Sequence, residues 1–587
     1  MSAPLDAPNV TYLWAQVLIE ELVRNGVRTF FVAPGSRSTP LTVTAARHPE
    51  AEVTLHVDER GGAFAALGVG RATQRPAAWI TTSGTAVANG LPAVVEASMD
   101  GVPLLLLTAD RPPELRDTGA NQAIDQVKLF GRYTRWHVDL PPPTDNIDPA
   151  YVLTTVNQAV HRAVRPPAGP VHLNCGFRKP LEPIEAESPT EVPVAVQDWA
   201  EADAPFTEYP TPTPHPSASA VEALSPQLND ERRGLVVAGR LQTDAEATAA
   251  RRLATRLGWP LIPGLTSRLR LQANEMGSAV SYADLVLASA SFRERYAPEV
   301  VVHLGGRFVS KRLRFFLRES APEVYAVVRP APSRLDPDHR VTHHVESGVV
   351  PFVEKLLGHT GAVPEASSWR SAWTDANERA AAVVKSHAAT ADALTEPLVA
   401  TVLTDECPPD HALVAASSMP VRDLDRHAST GRGTVAYANR GASGIDGTVA
   451  TAAGVADGRG GPVTLLIGDL ALWHDLNSLA LLEDRSVVVV VVNNDGGGIF
   501  HFLPIRDHDD VFDPYFTTPH GRSFASAAAT FGLPYRQPDT PEAFRRAYRE
   551  ACGRSGSTVL EIQTDREANQ TVHEQLEQAV ASAVAPE

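Results

Sequence analysis

Cysteine is nearly absent from this sequence: its 587 residues contain only Cys175, Cys407 and Cys552, which lie far apart. They form neither a CxxC pair nor a disulfide framework, which excludes a disulfide-stapled secreted fold and is typical of the reducing cytoplasm. No apolar run approaches the roughly 20 residues that span a bilayer. The first ten residues, MSAPLDAPNV, show no basic segment followed by an apolar one, so we expect no secretory signal.

Lysine is also scarce, and the chain is strongly acidic. Only five of the 52 basic residues are lysine, and the formal net charge is −17. A field of that sign repels polyanions, so we expect neither nucleic acid nor an anionic membrane surface as a partner. Hydrophobic residues make up 43% of the chain and charged residues 21%, which indicates a globular protein long enough for three or four domains.

Short apolar segments that end in Gly-, Ser-, Asp- or Asn-rich loops recur along the chain. Such segments suit parallel strands covered by helices on both faces, so the sequence predicts an α/β fold with three doubly wound parallel-sheet domains. A stretch rich in Pro, Thr and Ser, including EYPTPTPHPSAS, predicts a linker. The predicted domains are residues 1–185, 217–365 and 366–587, with the linker at 186–216.

Individual elements follow from the same patterns. Residues 12–25 have the apolar spacing of a helix, and the six consecutive valines from Val487 to Val492 predict a fully buried strand. The predicted strands are 28–36, 53–59, 77–84, 102–110, 170–175, 234–239, 299–306, 412–417, 434–439, 463–469 and 486–494.

Two of these strands end in residues that suit a metal. Asp469 ends one strand and Asn494 ends the next, and a right-handed crossover places such ends side by side. With the carbonyl of Gly496 they would offer three hard oxygens to Mg²⁺, which takes six oxygen ligands and accepts phosphate oxygens among them. A tight turn after each strand would show the same residue types. The two motifs together favour a metal and diphosphate site.

The Gly-Asp motif followed by Asn-Asn resembles the signature of the thiamine-diphosphate (ThDP)-dependent enzyme family, although Leu470 stands where that family usually has a second glycine. Further blocks look like the members of this family that act in menaquinone biosynthesis, and they span nearly the whole chain. They are APGSRSTPL (33–41), HVDERGG (56–62), TTSGTAVANGLPAVVEA (81–97), TADRPPEL (108–115), GANQAIDQ (119–126), GGRFVSKRL (305–313), SSMPVRD (417–423), NRGASGIDG (439–447) and NNDGGGIFHFLP (493–504).

The resemblance implies the three-domain, pyruvate-oxidase-like architecture of ThDP enzymes. Residues 1–185 would bind the cofactor's pyrimidine ring, 217–365 would form the central domain, and 366–587 would bind the diphosphate.

The resemblance also implies cofactor residues. Glu59, which could otherwise be a plain helix-start acid, would hydrogen-bond the aminopyrimidine ring and activate it. Ile445, which could otherwise be core packing, would support the bent cofactor. Gly468, Asp469 and Asn494 would hold the diphosphate and the metal. Glu59 of one subunit would meet the metal ligands of another, which implies an obligate homodimer or a tetramer made of two such dimers.

The implied substrates, 2-oxoglutarate and isochorismate, are both dianions, and bidentate recognition of carboxylates favours arginine. The implied catalytic residues beside Glu59 are Ser36, Arg37, Arg111 and Gln122. The implied substrate-binding residues are Lys311, Arg312, Ser418, Arg422, Arg440, Ile499 and Phe500. We expect Arg422 and Arg440 to hold the succinyl carboxylate, and the cations Arg37, Arg111, Lys311 and Arg312 to face isochorismate.

The implied activity is that of a transferase, a carboligase that uses ThDP with Mg²⁺ or Mn²⁺. It would decarboxylate 2-oxoglutarate and add the succinyl-semialdehyde carbanion to isochorismate by 1,4-addition. Two alternatives stay open: another ThDP-dependent decarboxylase or carboligase of the acetolactate-synthase type, which needs no such Arg/Lys set, and a non-catalytic scaffold with a ThDP fold. A Rossmann dehydrogenase is disfavoured, because no convincing GxGxxG follows the first strand.

Overall fold

A computed structural model describes residues 5, 7–187, 191–228, 232–272, 277–358 and 368–586. The predicted boundary between residues 365 and 366 and part of the predicted linker, 188–190, lie outside the described residues. The chain divides into two compact units, each considered by itself. Unit 1 takes in the described residues of Met1–Pro212, Asn439–Gly460 and Asp475–Arg485, and unit 2 those of Thr213–Ala438, Gly461–His474 and Ser486–Glu587.

Seventeen strands lie in the described part of the chain. They are β1 Thr29–Val32, β2 Glu52–Leu55, β3 Ala78–Thr81, β4 Leu104–Asp110, β5 Trp136–Leu140, β6 Pro170–Gly176, β7 Gly234–Ala238, β8 Leu261–Pro263, β9 Val300–Leu304, β10 Val324–Arg329, β11 His343–Glu346, β12 Ala412–Ala415, β13 Ala436–Ala438, β14 Val463–Gly468, β15 Val487–Asn493, β16 Tyr535–Arg536 and β17 Thr558–Gln563.

The α-helices of the described residues connect and cover these strands. They are α1 Val10–Arg24, α2 Thr39–Arg47, α3 Glu59–Thr73, α4 Thr85–Ala88, α5 Leu91–Asp100, α6 Ala150–Val164, α7 Val194–Glu201, α8 Ala218–Leu224, α9 Asp244–Leu257, α10 Ala283–Val286, α11 Ala290–Arg295, α12 Lys311–Ser320, α13 Val349–Leu357, α14 Ser368–Thr390, α15 Glu396–Glu406, α16 Met419–His427, α17 Thr448–Arg459, α18 Asp469–His474, α19 Asp509–Phe512, α20 Ala525–Thr530, α21 Pro541–Cys552 and α22 Arg566–Val584. None of them combines the length and the apolar character that crossing a membrane requires.

Unit 1 contains one parallel sheet of six strands in the order β2-β1-β3-β4-β6-β5. Every residue of β4 and β6 is buried, as expected for central strands of a sheet covered on both faces. The Leu-rich sequence of β4 suits such a buried position. The carboxyl ends of β1, β3 and β4 carry the sequence blocks with Arg37, Ser83 and Arg111.

Unit 2 contains two parallel sheets. Their strand orders are β11-β10-β9-β7-β8 and β13-β12-β14-β15-β17-β16. The valine run forms β15, which is buried throughout and lies between β14 and β17. The predicted α/β class with three parallel sheets is confirmed.

Each predicted strand has a counterpart, but six strands had no prediction: β5, β8, β10, β11, β16 and β17. Four of them, β5, β8, β11 and β16, lie at sheet edges. In β5, β11 and β16 most residues stay partly exposed, so the apolar pattern of these strands is weak. β17 was not predicted because its TVLEIQ sequence includes the charged residue Glu561. This side chain is fully buried, and it accepts a hydrogen bond from Asn493, which is far away in the sequence.

Candidate active site

The predicted metal ligands lie at the carboxyl edge of the six-stranded sheet of unit 2. β14 and β15 are parallel neighbours in register up to Gly468 and Val492, and Asp469 follows the first strand while Asn494 follows the second. The crossover expected from the sequence has therefore brought the two strand ends side by side. Both side chains are buried: 2% of Asp469 and 9% of Asn494 is exposed.

Three polar contacts hold the Asp469 carboxylate. Oδ1 accepts from the N–H of Leu470 at 2.6 Å, and Oδ2 accepts from the N–H of Gly496 at 2.8 Å and lies 3.1 Å from Nε2 of His520. Burial raises the pKa of Asp469 although these contacts oppose the shift. A nearby cation would favour the charged form of such a carboxylate.

The two ends of the Asn494 amide are in different environments. Nδ2 donates to Oε1 of Glu396 at 2.7 Å. Oδ1 is buried and has no hydrogen-bond partner among the described residues. Burying an amide oxygen without a hydrogen-bond partner costs folding free energy. A bound hard cation would satisfy this oxygen, because such cations prefer oxygen ligands.

Gly496 completes this edge. Its φ of +132° and its closeness to the Thr517 carbonyl oxygen, 1.8 Å from where a Cβ would sit, admit only glycine. Its carbonyl accepts one hydrogen bond from Gly498 at 3.0 Å and keeps a second lone pair. Asp469, Asn494 and Gly496 thus offer a carboxylate, an amide and a backbone oxygen, so this site fits Mg²⁺ and the diphosphate that accompanies it.

Ile499 and Phe500 follow in a short 3₁₀ helix, Gly498–Phe502, and both are half-buried. The Phe500 ring contacts Phe516 edge to face, with ring centroids 5.4 Å apart. An apolar pair next to the metal edge can exclude water from it.

Ser418 and Arg422 lie at the start of α16. Ser418 has a positive φ of 72°, and the guanidinium of Arg422 donates to its carbonyl. Both side chains are half-buried. This hydrogen bond links the turn at Ser418 to the first turn of α16.

Lys311 and Arg312 begin α12 but differ in their surroundings. Lys311 is exposed, with its ammonium 5.3 Å from the centroid of the Phe315 ring. Arg312 lies 2.8 Å from both Asp284 and Glu577, so its guanidinium is already paired with two carboxylates. Binding of a substrate carboxylate by Arg312 would require those pairs to rearrange, and its assignment stays a prediction.

Glu59 is the first residue of α3 in unit 1. The Asp58 side chain caps this helix by accepting from the N–H of Arg60 at 3.0 Å. Glu59 is partly exposed, and its Oε2 accepts from Nδ2 of Asn89 at 3.3 Å. The helix start is confirmed, and the carboxylate is accessible to a ligand.

Two predicted arginines lie close together in unit 1. Arg37 donates to the carbonyl of Phe177 at 2.7 Å, and Arg111 donates to the carbonyl of Asn121 at 2.6 Å. Desolvation lowers the pKa of both, and the neighbouring Arg111 cation lowers that of Arg37 further. Neither guanidinium forms an ion pair within 4.0 Å among the described residues, although the negative charge of Asp110 opposes the lowering of both pKa values. Two buried cations that are not paired with a carboxylate favour binding of an anionic ligand.

Ser83 connects Arg111 to Gln122, another predicted residue of this edge. Its hydroxyl accepts from the Arg111 guanidinium and donates to the carbonyl of Gln122 at 3.0 Å. Nε2 of Gln122 in turn donates to the Ser83 carbonyl at 3.1 Å. Gln122 and Ser36 are exposed, which leaves both side chains available to a ligand.

A buried polar network supports this edge from below. Nε2 of His172 lies 2.6 Å from the hydroxyl of Thr108, which also donates to Asn174 at 3.0 Å. Asn174 donates to Asp110 at 2.8 Å, and Asp110 accepts from the N–H of Arg111 at 2.7 Å. Burial lowers the pKa of His172 to about 3.

We expect His172→Gln to remove part of the acid sensitivity of the fold. Folded His172 stays neutral down to a pKa of about 3, whereas the unfolded imidazole takes up a proton below its usual 6.5. Wild-type stability therefore falls as the pH falls below 6.5, by about 1.4 kcal/mol per pH unit for this group. The stability difference between wild type and variant should shrink accordingly in urea unfolding between about pH 7 and pH 5. A pH-independent difference would contradict it.

The loop that carries Arg440 and Ile445 is held at both ends by buried carboxylates. Glu96 accepts from the N–H groups of Gly441 and Ala442 at 2.8 and 2.6 Å. Asp475 accepts from the first N–H groups of α17, just after Ile445. Arg440 and Ile445 themselves are half-buried.

Five supporting residues had no prediction: Ser83, Glu96, Glu396, Asp475 and His520. Ser83 and Glu96 lie in the quoted block TTSGTAVANGLPAVVEA (81–97) and could have been proposed from it. The other three carry no local signal, because each acts on a group at least 25 residues away in the sequence.

Three family models match the chain. "Thiamine pyrophosphate enzyme, N-terminal TPP binding domain" matches residues 14–129, "Middle domain of thiamine pyrophosphate" matches 191–414, and "Thiamine pyrophosphate enzyme, C-terminal TPP binding domain" matches 414–562. The first and last of these ranges contain Glu59 and the edge with Asp469 and Asn494.

Similar proteins extend over almost the full chain. A protein of Salinibacter ruber is 67% identical over 581 residues, covering 99% of this chain and 98% of the relative. One of Rubrobacter xylanophilus is 53% identical and one of Chlorobium phaeobacteroides 39% identical, covering 97% and 96% of this chain and 98% and 97% of those relatives. All three bear the name 2-succinyl-5-enolpyruvyl-6-hydroxy-3-cyclohexene-1-carboxylate synthase.

Proposed function

The chain belongs to the 2-succinyl-5-enolpyruvyl-6-hydroxy-3-cyclohexene-1-carboxylate synthase family of thiamine-diphosphate-dependent enzymes, and from this membership we propose that it joins 2-oxoglutarate to isochorismate with loss of CO₂. The observation that carries the proposal is the edge formed by Asp469, Gly496 and the unpaired Oδ1 of Asn494. This donor set suits Mg²⁺ or Mn²⁺ together with a diphosphate.

Bound ThDP would supply the chemistry for releasing CO₂ from a 2-oxoacid and forming a new C–C bond. Asp469, Asn494 and Gly496 would hold the metal, and Gly468 would let the diphosphate approach the strand end. Glu59 would hold and return a proton at the pyrimidine ring nitrogen. Ile445 would support the cofactor in its reactive shape.

The two substrates would be bound mainly through their carboxylates. Arg37 and Arg111 are buried cations without a carboxylate partner in the described chain, which supports a role in binding isochorismate, with Ser36 and Gln122 as hydrogen-bonding neighbours. Lys311 and Arg312 would extend this cationic set. Ser418, Arg422 and Arg440 would hold the succinyl carboxylate, and the apolar side chains of Ile499 and Phe500 would keep water out.

The assembly and the domains are part of the proposal. Residues 1–185, 217–365 and 366–587 would be the pyrimidine-binding, central and diphosphate-binding domains, joined after the first by the linker 186–216. The protein would act as a cytoplasmic homodimer, or as a tetramer made of two such dimers, with Glu59 of one subunit completing the metal edge of the next.

One assay tests the function. Purified protein with ThDP, Mg²⁺, 2-oxoglutarate and isochorismate should consume isochorismate, and EDTA should stop the reaction. Omitting isochorismate should leave only slow release of CO₂. In a parallel reaction with pyruvate in place of 2-oxoglutarate, consumption of pyruvate with no loss of isochorismate in either reaction would contradict the proposal and support a carboligase of the acetolactate-synthase type.

Arg422→Ala should raise the KM for 2-oxoglutarate more than the KM for isochorismate. A hydrogen bond to a charged group contributes about 1.5–3 kcal/mol, so the expected rise is about 10-fold to 100-fold. Steady-state kinetics with each substrate varied in turn measures both constants. Arg37→Ala is the reciprocal control and should affect isochorismate more. The opposite pattern in the two variants would refute this division of the cations.

A further inference from the structure

Glu396 is a buried carboxylate beside the metal edge that the proposed mechanism does not use. It is the first residue of α15, its N–H donates to Oδ1 of Asn569 at 3.0 Å, and only 3% of it is exposed. Its Oε1 accepts from Nδ2 of Asn494 at 2.7 Å, across 98 positions of sequence. The hydrogen bond from the backbone of Glu396 to Asn569 holds Glu396 in place, and the carboxylate of Glu396 holds the side-chain amide of Asn494.

The orientation of the Asn494 amide decides whether it can bind a cation. An amide can turn end for end with little change of shape, and only its oxygen has lone pairs for a metal. In the structure Nδ2 points to Glu396, so Oδ1 is the free end, and it is buried with no hydrogen-bond partner in the part of the chain that is described. Turning the amide would place two N–H donors against the cation and the oxygen against a carboxylate.

We propose that Glu396 is a positioning residue that holds Asn494 with its amide oxygen toward the metal. The proposal rests on the metal site of the proposed function. Glu396 would not touch the cation, and it would act only through the Asn494 amide. Mutation of outer partners of this kind typically weakens metal affinity by about 10-fold to 100-fold.

A second acid lies behind Glu396. Asp423 neighbours it on one side and lies 3.2 Å from Nε2 of His573 on the other. Burial, and then the charge of Asp423, raise the pKa of Glu396 to about 8. Because Oε1 can accept the amide N–H whether or not the other oxygen carries a proton, the positioning contact does not depend on the protonation state of Glu396.

The test is the affinity for Mg²⁺ at saturating ThDP, measured by isothermal titration calorimetry. Glu396→Gln keeps an oxygen that accepts from Asn494 and should retain the wild-type affinity. Glu396→Met has a similar length but no acceptor, so Asn494 can turn, and the dissociation constant for Mg²⁺ should rise about 10-fold to 100-fold. A purely structural role would not separate the two variants in this way.

Asp425→Ala is the matched control for loss of a buried acid. Asp425 is buried and accepts from the N–H of Leu265 at 2.9 Å, and among the described residues the Asn494 amide donates to Glu396 and not to Asp425. This variant should lower the unfolding temperature and leave Mg²⁺ affinity unchanged. Wild-type affinity in Glu396→Met would overturn the inference, and so would failure of either Glu396 variant to fold. Failure of the wild type to bind Mg²⁺ and ThDP would instead refute the proposed function.

Discussion

Glu59→Gln should lower kcat by about 10²-fold to 10⁴-fold, the usual contribution of a positioned proton-transfer group. Glutamine has nearly the same shape and can still accept from Asn89, so α3 and its start should be unaffected. It cannot give up a proton as a carboxyl group does. Pre-steady-state and steady-state rates, with ThDP and Mg²⁺ affinities measured in parallel, separate the loss of proton transfer from a loss of cofactor binding.

The matched control is the acid next to Glu59. Asp58 caps α3 through its side chain, and Asp58→Asn preserves that cap, because asparagine is an equally good N-cap residue. This variant removes one negative charge from the same helix start and should leave kcat near the wild-type value. Near-normal turnover in Glu59→Gln, or an equal loss in both variants, would remove Glu59 from the proton-transfer role.

Glu96→Ala should cost about 3–5 kcal/mol of unfolding free energy, because it breaks a buried ion pair and leaves polar groups without partners. Glu96 is 3% exposed and accepts from the Arg71 guanidinium at 2.9 Å as well as from the backbone of Gly441 and Ala442. Asp100 still pairs with Arg71, so the lower end of the range is the more reasonable expectation. Urea unfolding followed by circular dichroism measures the change.

An exposed ion pair in the same unit provides the comparison. Glu114 pairs with Arg178 through two contacts of 2.6 and 2.9 Å, but both side chains are about half exposed. Exposed pairs are screened by water and contribute little, so Glu114→Ala should give no measurable change in stability. Glu96, Arg71, Asp100 and the backbone of Gly441 and Ala442 form the Glu96 cluster. Equal effects of Glu96→Ala and Glu114→Ala would show that this cluster does not stabilise the loop that carries Arg440 and Ile445.

The Glu96 cluster also bears on activity. The loop it holds carries Arg440 and Ile445, which are proposed to bind substrate and cofactor. Glu96→Gln can still accept one backbone N–H and should therefore lose less stability than Glu96→Ala. A comparison of the ThDP affinities of the two variants shows whether a change in the conformation of this loop alters cofactor binding.

Much of the metal edge could be predicted from local sequence. The apolar runs of β14 and β15 are typical of buried parallel strands, and Asp469 and Asn494 follow them directly. Glu59 was predicted at a helix start and lies there. The environment of Arg312 could not be predicted, because its two carboxylate partners, Asp284 and Glu577, come from distant parts of the chain.

The sequence alone therefore determined the α/β class, most of the strands and the residues that stand at the strand ends, because these depend on short apolar runs and on the residue that follows each run. Only the tertiary structure decided which way the Asn494 amide faces. The same holds for the hydrogen bond from Glu96 to a loop 346 positions away, and for the contacts by which Ser83 joins Arg111 to Gln122. A hydrogen bond needs two atoms within about 3 Å of each other. Tertiary packing brings these atoms together from distant segments, and the sequence of one segment does not show which other segment it will contact.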